Sequence, residues 1–361
     1  MTQEALQAIA SRFAIRGRVV AVRPLGSGLI NDTFKVETDG PEDYVLQRIN
    51  HAIFQDVPLL QHNIEAVIRH IRGKLAGDPD IDRKVLRFIP LHDASQTYFP
   101  APDGTFWRLS VFIRDAYTHE AVTPESSYDA GKAFGQFEAM LADLPDPLGE
   151  TIPDFHNMEL RARQLREAVA ADKAGRMADP AVRDLVEEVF SYEWEMCKAE
   201  RMHRDGILPK RICHCDTKVG NMLFDAKGNV LCVIDLDTVM PSFVFSDFGD
   251  FMRTAANTGA EDDRDLGNVH FNLEIFKAFS KGYIESASVF LTPVERENLP
   301  FAAQLFPYMQ CVRFLADYLN GDTYYRIRYP EHNWIRSLAQ WKLFTSVRAH
   351  LPQMNDWIAS L

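Results

Sequence analysis

The spacing of apolar residues changes once along the chain, near residue 114, and this break constrains the fold more than any other feature. Before it, short apolar runs alternate with turn residues. RVVAVRPLGSGLINDTFKVETDG reads as two strands around a Gly-rich turn, and YVLQRIN (44–50) as a third. KVLRFIPL, QTYFPAPDG and TFWRLSVFI read as further strands. Two helices interrupt them: the amphipathic start MTQEALQAIASRFAIRG, and VPLLQHNIEAVIRHIRGKL with Leu60, Ile64, Val67, Ile68 and Ile71 at helical spacing. After the break, residues 126–142, 158–174 and 181–204 carry long helical periodicities, and the chain is mostly helical beyond Asp247. MLF, DAKGN and VLCVID, within residues 222–235, form a compact hairpin with a Gly/Asn turn. The expected fold is α+β with two lobes: a β-rich N-terminal lobe over residues 1–113 and a larger, mostly helical C-terminal lobe over 114–361 that contains the hairpin.

The length of 361 residues agrees with two lobes, since one hydrophobic core rarely serves so long a chain. A formal net charge of -12 disfavours nucleic acid and anionic membrane as partners, though a local basic pocket for a phosphorylated ligand is compatible with it. The five cysteines (Cys197, Cys213, Cys215, Cys232 and Cys311) are odd in number and scattered, so a disulfide framework is not expected. The N-terminus lacks the basic start and apolar run of a signal peptide, and no apolar run is long enough to span a bilayer. The expectation is a cytoplasmic protein, a monomer or weak homodimer, that meets small molecules rather than membranes.

The densest chemistry lies in RICHCDTKVGNMLF, residues 211–224. Cys213 and Cys215 with His214 between them look like a metal knot. In an extended strand His214 would face away from both thiols, and no second Cys/His pair follows at zinc-finger spacing. The cysteines read as small buried residues. The polar residues read differently. Asp216, Asn221 five residues on, and Asp235 at the end of the hairpin are an oxygen-ligand set of the kind phosphoryl transfer from ATP requires: one carboxylate to orient the acceptor hydroxyl, and further oxygens to hold Mg2+. In the N-terminal part, Gly26, Ser27 and Gly28 sit between two strands, ahead of Asn31. The turn lacks the strand–turn–helix context and third glycine of a dinucleotide fingerprint, and the GK[ST] ending of a Walker A loop. It suits a flap over ATP phosphates, with a plain hairpin turn as the alternative.

On these residues the chain resembles the aminoglycoside phosphotransferase and choline kinase superfamily, which shares the protein-kinase-like fold, and within it the N-acetylhexosamine 1-kinases. The matching blocks are LGSGLINDTF, YVLQRIN, FGQF, CDTKVGNMLFD, VIDLDTVMP, SDFGD, RFLADYLNGD and YPEHN, spread from about residue 8 to 345. The resemblance implies ATP and Mg2+ as cosubstrate and cofactor and a sugar as acceptor. It implies Asp216 as catalytic base, Lys218 as a contact to the transferred phosphate, His214 as a loop-structuring residue, and Asn221 and Asp235 as metal ligands. Gly26, Ser27, Gly28, Asn31 and Gln47 would lie on the nucleotide, Val111 to Ile113 would offer backbone bonds to adenine, and Arg313 and Tyr324 would hold the sugar.

Each of these has a plainer alternative. Arg313 is equally suited to a structural ion pair with Asp317, one turn on. Aromatic packing is the default for Tyr324 and Tyr325, as for Trp334 and Trp341. FHN at 155–157 suits the lining of an acceptor pocket, and the plainer alternative is a helix cap by Asn157. Asp237 reads either as a metal or substrate contact or as a strand-end acid facing water. Asp247-Phe248-Gly249 spells the magnesium motif of protein kinases but precedes a helix, so Asp247 reads as an acid that braces the catalytic loop or caps that helix. The resemblance has one departure. Where the fold carries a lysine on the third strand, paired to a helix glutamate, this chain has Gln47. Arg48 points to the other face, which leaves Glu65 with a structural role and more of the charge on Lys218. Kinases for choline, homoserine, aminoglycosides or other sugars, and a pseudokinase, are the competing functions.

Overall fold

The computed structural model of the chain describes residues 1–26, 30–93, 95–119 and 122–361. Ser27 and Gly28, expected on the nucleotide, lie outside the described residues. Two compact units emerge. One comprises residues 1–118, 143–153 and 222–240, and the other residues 119–142, 154–221 and 241–361.

The first unit is built on an antiparallel sheet of β1 (Val19–Pro24), β2 (Asp32–Thr38), β3 (Tyr44–Ile49), β4 (Tyr98–Pro100) and β5 (Phe106–Val111), in the order β1-β2-β3-β5-β4. Alternation assigns the faces. Val36, Tyr44, Leu46, Trp107 and Leu109 form one core with Leu6, Ala10 and Phe13, so this face is closed by the N-terminal helix Gln3–Ala10. The other face carries Thr33, Gln47 and Arg108 in a single cross-strand row. The helix Val57–Lys74 forms where the periodicity placed it and buries Leu60, Ile64, Val67 and Ile71; Asp56 caps it by accepting from the Leu59 N–H at 2.9 Å. KVLRFIPL differs from expectation. It makes only isolated bridges, Phe88 with Ser110 and Leu91 with Phe13, because Pro90 has no N–H to continue a ladder. The hairpin pairs Met222–Phe224 with Val230–Val233, and Gly228 supplies the positive φ its turn needs. It packs as part of this first unit, not of the helical region where a linear reading put it.

The second unit is mostly helical. Helices Pro124–Leu141 and Leu273–Ala287 approach so closely that a Cβ on Gly282 would lie 2.1 Å from the Tyr128 carbonyl oxygen. Helix Leu299–Leu319 is buried on nearly every side. The periodicity over 181–204 resolves into two helices, Pro180–Met196 and Lys198–Arg204, that meet at Cys197. Among the described residues, no helix is long and apolar enough to cross a membrane.

Candidate functional site

In the second unit the short strand Arg211–Cys213 delivers the chain to a tightly held loop. Asp247, in the first turn of helix Phe245–Ala255, accepts the His214 N–H on Oδ2 and the Cys215 N–H on Oδ1, each at 2.7 Å. Its carbonyl oxygen accepts the Thr217 hydroxyl at 2.6 Å. Cys215 is held at φ +62°, a conformation that costs a non-glycine residue energy and persists only where its surroundings enforce it. Asp247 supplies that enforcement, as expected of a bracing acid. Gly249 of the same motif is a packing glycine, since a Cβ there would sit 2.3 Å from the Phe306 ring.

Asp216 follows this strained residue. Burial alone would raise its pKa, but the Lys218 ammonium 2.8 Å away, the His214 ring and the Asn221 amide together hold it below the usual carboxylate value. Asn221 donates from Nδ2 to both the Asp216 carbonyl oxygen, at 2.8 Å, and Oδ2, at 2.9 Å. Both amide hydrogens are therefore spent on Asp216, and Oδ1 is the atom Asn221 can offer a hard cation. Cys213 and Cys215 are buried, and burial pushes both thiols well above the ordinary range, so they are inert. Cys213 does lie with Glu138 and Asp247 in a cluster of metal-ligating groups. Both Asp247 oxygens are taken by N–H groups, however, and burial and the Asp247 charge push Glu138 well above the usual range, so the cluster is a hydrogen-bonded acid pair. Sequence reasoning missed Asp250 and Arg253, a buried pair 2.9 Å apart whose charges both interact with that of Asp216.

In the first unit, Asp235 ends the hairpin at φ 60°, ψ 59°, and the turn Leu236–Thr238 follows. Asp237 does not face water: it is 3% exposed. The Arg108 Nη1 stands 2.6 Å from its Oδ1, a meeting of charges off the hydrogen-bond axis, and Asn31 Nδ2 donates to its Oδ2 at 2.7 Å. Gln47 accepts from Arg108 Nε at 3.0 Å and donates to Thr33 Oγ1 at 3.3 Å. Arg48 lies on the opposite face, paired with Asp32 at 2.6 Å. Glu65 accepts the Thr97 hydroxyl. Gly26 has φ +71°, and among the described residues no atom lies within 4 Å of where a Cβ would stand. The Val111 N–H is taken by the Arg87 carbonyl and that of Phe112 by the Asp43 carbonyl, both at 2.9 Å. Ile113 has no such backbone bond among the described residues.

Back in the second unit, Arg313 and Tyr324 line one cavity of about 360 Å³, between helices Met158–Ala171 and Leu299–Leu319. Asp317 is not the partner of Arg313. It accepts the N–H groups of Thr323, Tyr324 and Tyr325 at 2.8–2.9 Å and the Asn333 amide at 2.8 Å, and so fixes the loop that presents Tyr324. Arg313 donates to Gln310 instead. Arg161, which sequence reasoning did not single out, lines the same cavity; burial and the Arg313 charge lower its pKa to about 10. Burial and the charges of Arg313, Arg161 and Arg253 keep the neighbouring His156 neutral. Arg253 thus relates electrostatically to both His156 and Asp216. Asn157 caps its helix, accepting from Leu160 N–H at 3.0 Å. Trp334 stacks on Tyr318, and Trp341 packs against Tyr192 and Phe344.

The sequence pattern of the phosphotransferase enzyme family matches residues 21–274. Among solved structures, the chain is similar to an aminoglycoside phosphotransferase from Alicyclobacillus acidocaldarius subsp. acidocaldarius DSM 446, at 13% identity over 98% of this chain and 96% of that one, TM-score 0.64. It is similar to a choline kinase from Cryptosporidium parvum Iowa II, at 13% identity over 99% of both chains, TM-score 0.63. It is also similar to an amicoumacin kinase solved with AMP-PNP, Ca2+ and Ami, at 12% identity over 100% of this chain and 94% of that one, TM-score 0.60. At such identities the likeness is one of fold: a protein-kinase-like N-terminal five-stranded antiparallel sheet followed by a mostly helical region.

Proposed function

The chain belongs to the phosphotransferase enzyme family and is an ATP-dependent small-molecule kinase, and from that premise we propose that it phosphorylates the anomeric hydroxyl of N-acetylglucosamine or N-acetylgalactosamine. The observation that carries this reading is the cavity shared by Arg313 and Tyr324, the two residues that the resemblance to N-acetylhexosamine 1-kinases assigns to the sugar. Its volume falls within the range of small-ligand sites, roughly 300–1,000 Å³. Its lining carries Arg161, Arg313 and Lys173 against the carboxylates Glu167 and Asp317, and Asp317 is already committed to backbone N–H groups; sugar hydroxyls and an N-acetyl carbonyl can accept hydrogen bonds from the cations, which supports a sugar acceptor.

In this reading Asp216 orients the anomeric hydroxyl. The proton passes to its carboxylate as the sugar oxygen bonds to the γ-phosphorus, and the bond from that phosphorus to the β-phosphate oxygen breaks to release ADP. Lys218 keeps Asp216 ionised and offers its charge to the moving phosphoryl group. Asn221 Oδ1 and Asp235 are the oxygen donors for Mg2+, which when bound screens the phosphate charges. A relative that holds AMP-PNP and Ca2+ supports a nucleotide and a divalent ion as cosubstrate and cofactor here. Ile113 offers its backbone to adenine more readily than Val111, whose N–H is already used.

The test is an ADP-release screen over both N-acetylhexosamines, choline, homoserine and an aminoglycoside, with NMR of the product. The expected product is the sugar 1-phosphate. Faster turnover of a cationic acceptor, or a phosphate on another hydroxyl, overturns the assignment. Nucleotide binding without transfer to any acceptor marks a pseudokinase.

A further inference from the structure

Position 47 carries glutamine where the resemblance leads one to expect lysine, and the first unit contains a physical reason. Arg108 on β5 stands directly opposite Gln47 on β3, within the row that also holds Thr33 on β2. Facing residues of such a row lie close enough to interact. The Arg108 side chain is 2% exposed, so its charge is committed inside the protein, and that commitment is to Asp237, whose side chain is 4% exposed. Gln47 uses its carbonyl for Arg108 Nε and its amide for Thr33. A lysine at this half-buried position would place a second cation beside the buried guanidinium and remove the acceptor that Nε uses.

The far end of the network holds the turn after Asp235. Asp237 is fixed by Arg108 and Asn31 through its carboxylate, and its carbonyl accepts the Thr151 hydroxyl at 2.9 Å. The Val239 carbonyl accepts from Asn63 at 3.0 Å, and the Asn31 side-chain oxygen accepts the Asn50 N–H at 2.9 Å. These bonds, from four separate parts of the unit, over-determine a turn whose preceding residue, Asp235, sits in the left-handed region.

We propose that Arg108 is the positioning residue of the metal site. It holds Asp235 in place through Asp237 and is the reason position 47 is glutamine. The inference rests on the kinase reading for its metal, but the coupling between positions 47 and 108 stands apart from it.

Four proteins test it: wild type, Gln47→Lys, Arg108→Met and the double variant. Each is assayed for unliganded thermal unfolding, for the thermal shift that MgADP induces, and for the Mg2+ dependence of ADP release. Arg108→Met is expected to raise the Mg2+ requirement about tenfold, the usual effect of losing an outer-shell partner, to shrink the MgADP shift, and to leave the acceptor KM within about twofold. Gln47→Lys is expected to destabilise the protein, and the double variant to recover stability because the introduced lysine, with no guanidinium beside it, can then face Asp237. If Arg108→Met does not fold, Arg108→Lys, which keeps the charge and loses the Nε donor, carries the same readouts. A Gln47→Lys protein as stable and active as wild type would overturn the proposal, as would an Arg108 variant with wild-type Mg2+ requirement and MgADP shift. A wild type that transfers to no acceptor would sink the kinase reading instead, and the unliganded unfolding of the four proteins would still decide whether Gln47 and Arg108 are coupled.

Discussion

Lys218 sets the charge state of Asp216. Burial drives the Asp216 pKa up, and the Lys218 ammonium at 2.8 Å is the largest of the influences that bring it back below the carboxylate norm. Removing that ammonium leaves burial less opposed, so the Asp216 pKa rises. Lys218→Met is therefore expected to move the acid limb of the kcat profile to higher pH; an unmoved limb would show that Lys218 does not set the charge state of Asp216. Arg161 carries a second prediction. It lines the cavity with Arg313, and no carboxylate pairs with either among the described residues. Arg161→Met is expected to raise the acceptor KM about tenfold, the value of one charge-assisted hydrogen bond, with the KM for ATP unchanged, as read from initial rates. Asp216, Asn221 and Asp235 drew notice in sequence through their spacing around a hairpin, and the structure brings the Asn221 amide onto Asp216. Arg161 drew none: it sits in a helix with many exposed charges, and nothing in MELRARQLREAVAA marks one arginine as facing a cavity.

At the level of the element, the loop at 214–216 owes its shape to a helix more than thirty residues downstream. Both oxygens of Asp247 accept from that loop, and its carbonyl takes the Thr217 hydroxyl. Asp247→Ala leaves the His214 and Cys215 N–H groups without acceptors and frees Cys215 to leave φ +62°. The expected outcome is a fall in kcat of about a hundredfold, the effect of displacing a reacting group by roughly an ångström, with the helical circular dichroism retained. Unchanged kcat would show that the loop keeps its shape without the brace. The order of elements was readable, because turn residues and apolar period mark strands and helices locally. Two departures from a simple reading share a cause. KVLRFIPL has the composition of a strand but Pro90 breaks its ladder, and residues 181–204 have one period but two helices. Periodicity reports which residues are buried, not whether the backbone bonds run on without interruption.

At the level of the whole molecule, a linear reading cannot see that residues 143–153 and 222–240 join the first 118 in one compact unit. The contacts that join them include a backbone bridge between Tyr117 and Phe224 and single polar side chains, such as Asn63 to the carbonyls of Gly149 and Val239, and these leave no pattern in sequence. Nor does sequence show which carboxylates end up buried, and those acids govern how stability follows pH. Glu200 is an instance that can be measured. Burial raises its pKa from 4.5 to about 6, against the opposing Met158 N–H that donates to it. Between those values the native protein binds more protons than the unfolded chain, so the stability Glu200 contributes is fully present below the ordinary carboxylate pKa and is lost as pH rises through about 6. At about 1.4 kcal/mol per pKa unit, the loss by pH 7 is about 2 kcal/mol. Glutamine at this position keeps an acceptor for the Met158 N–H and has no proton to lose. Glu200→Gln is therefore expected to gain about 2 kcal/mol relative to wild type between pH 4 and pH 7, read as the difference between the two proteins in denaturant unfolding at each pH. A difference that stays constant across that range would show that Glu200 titrates alike in the folded and unfolded chain.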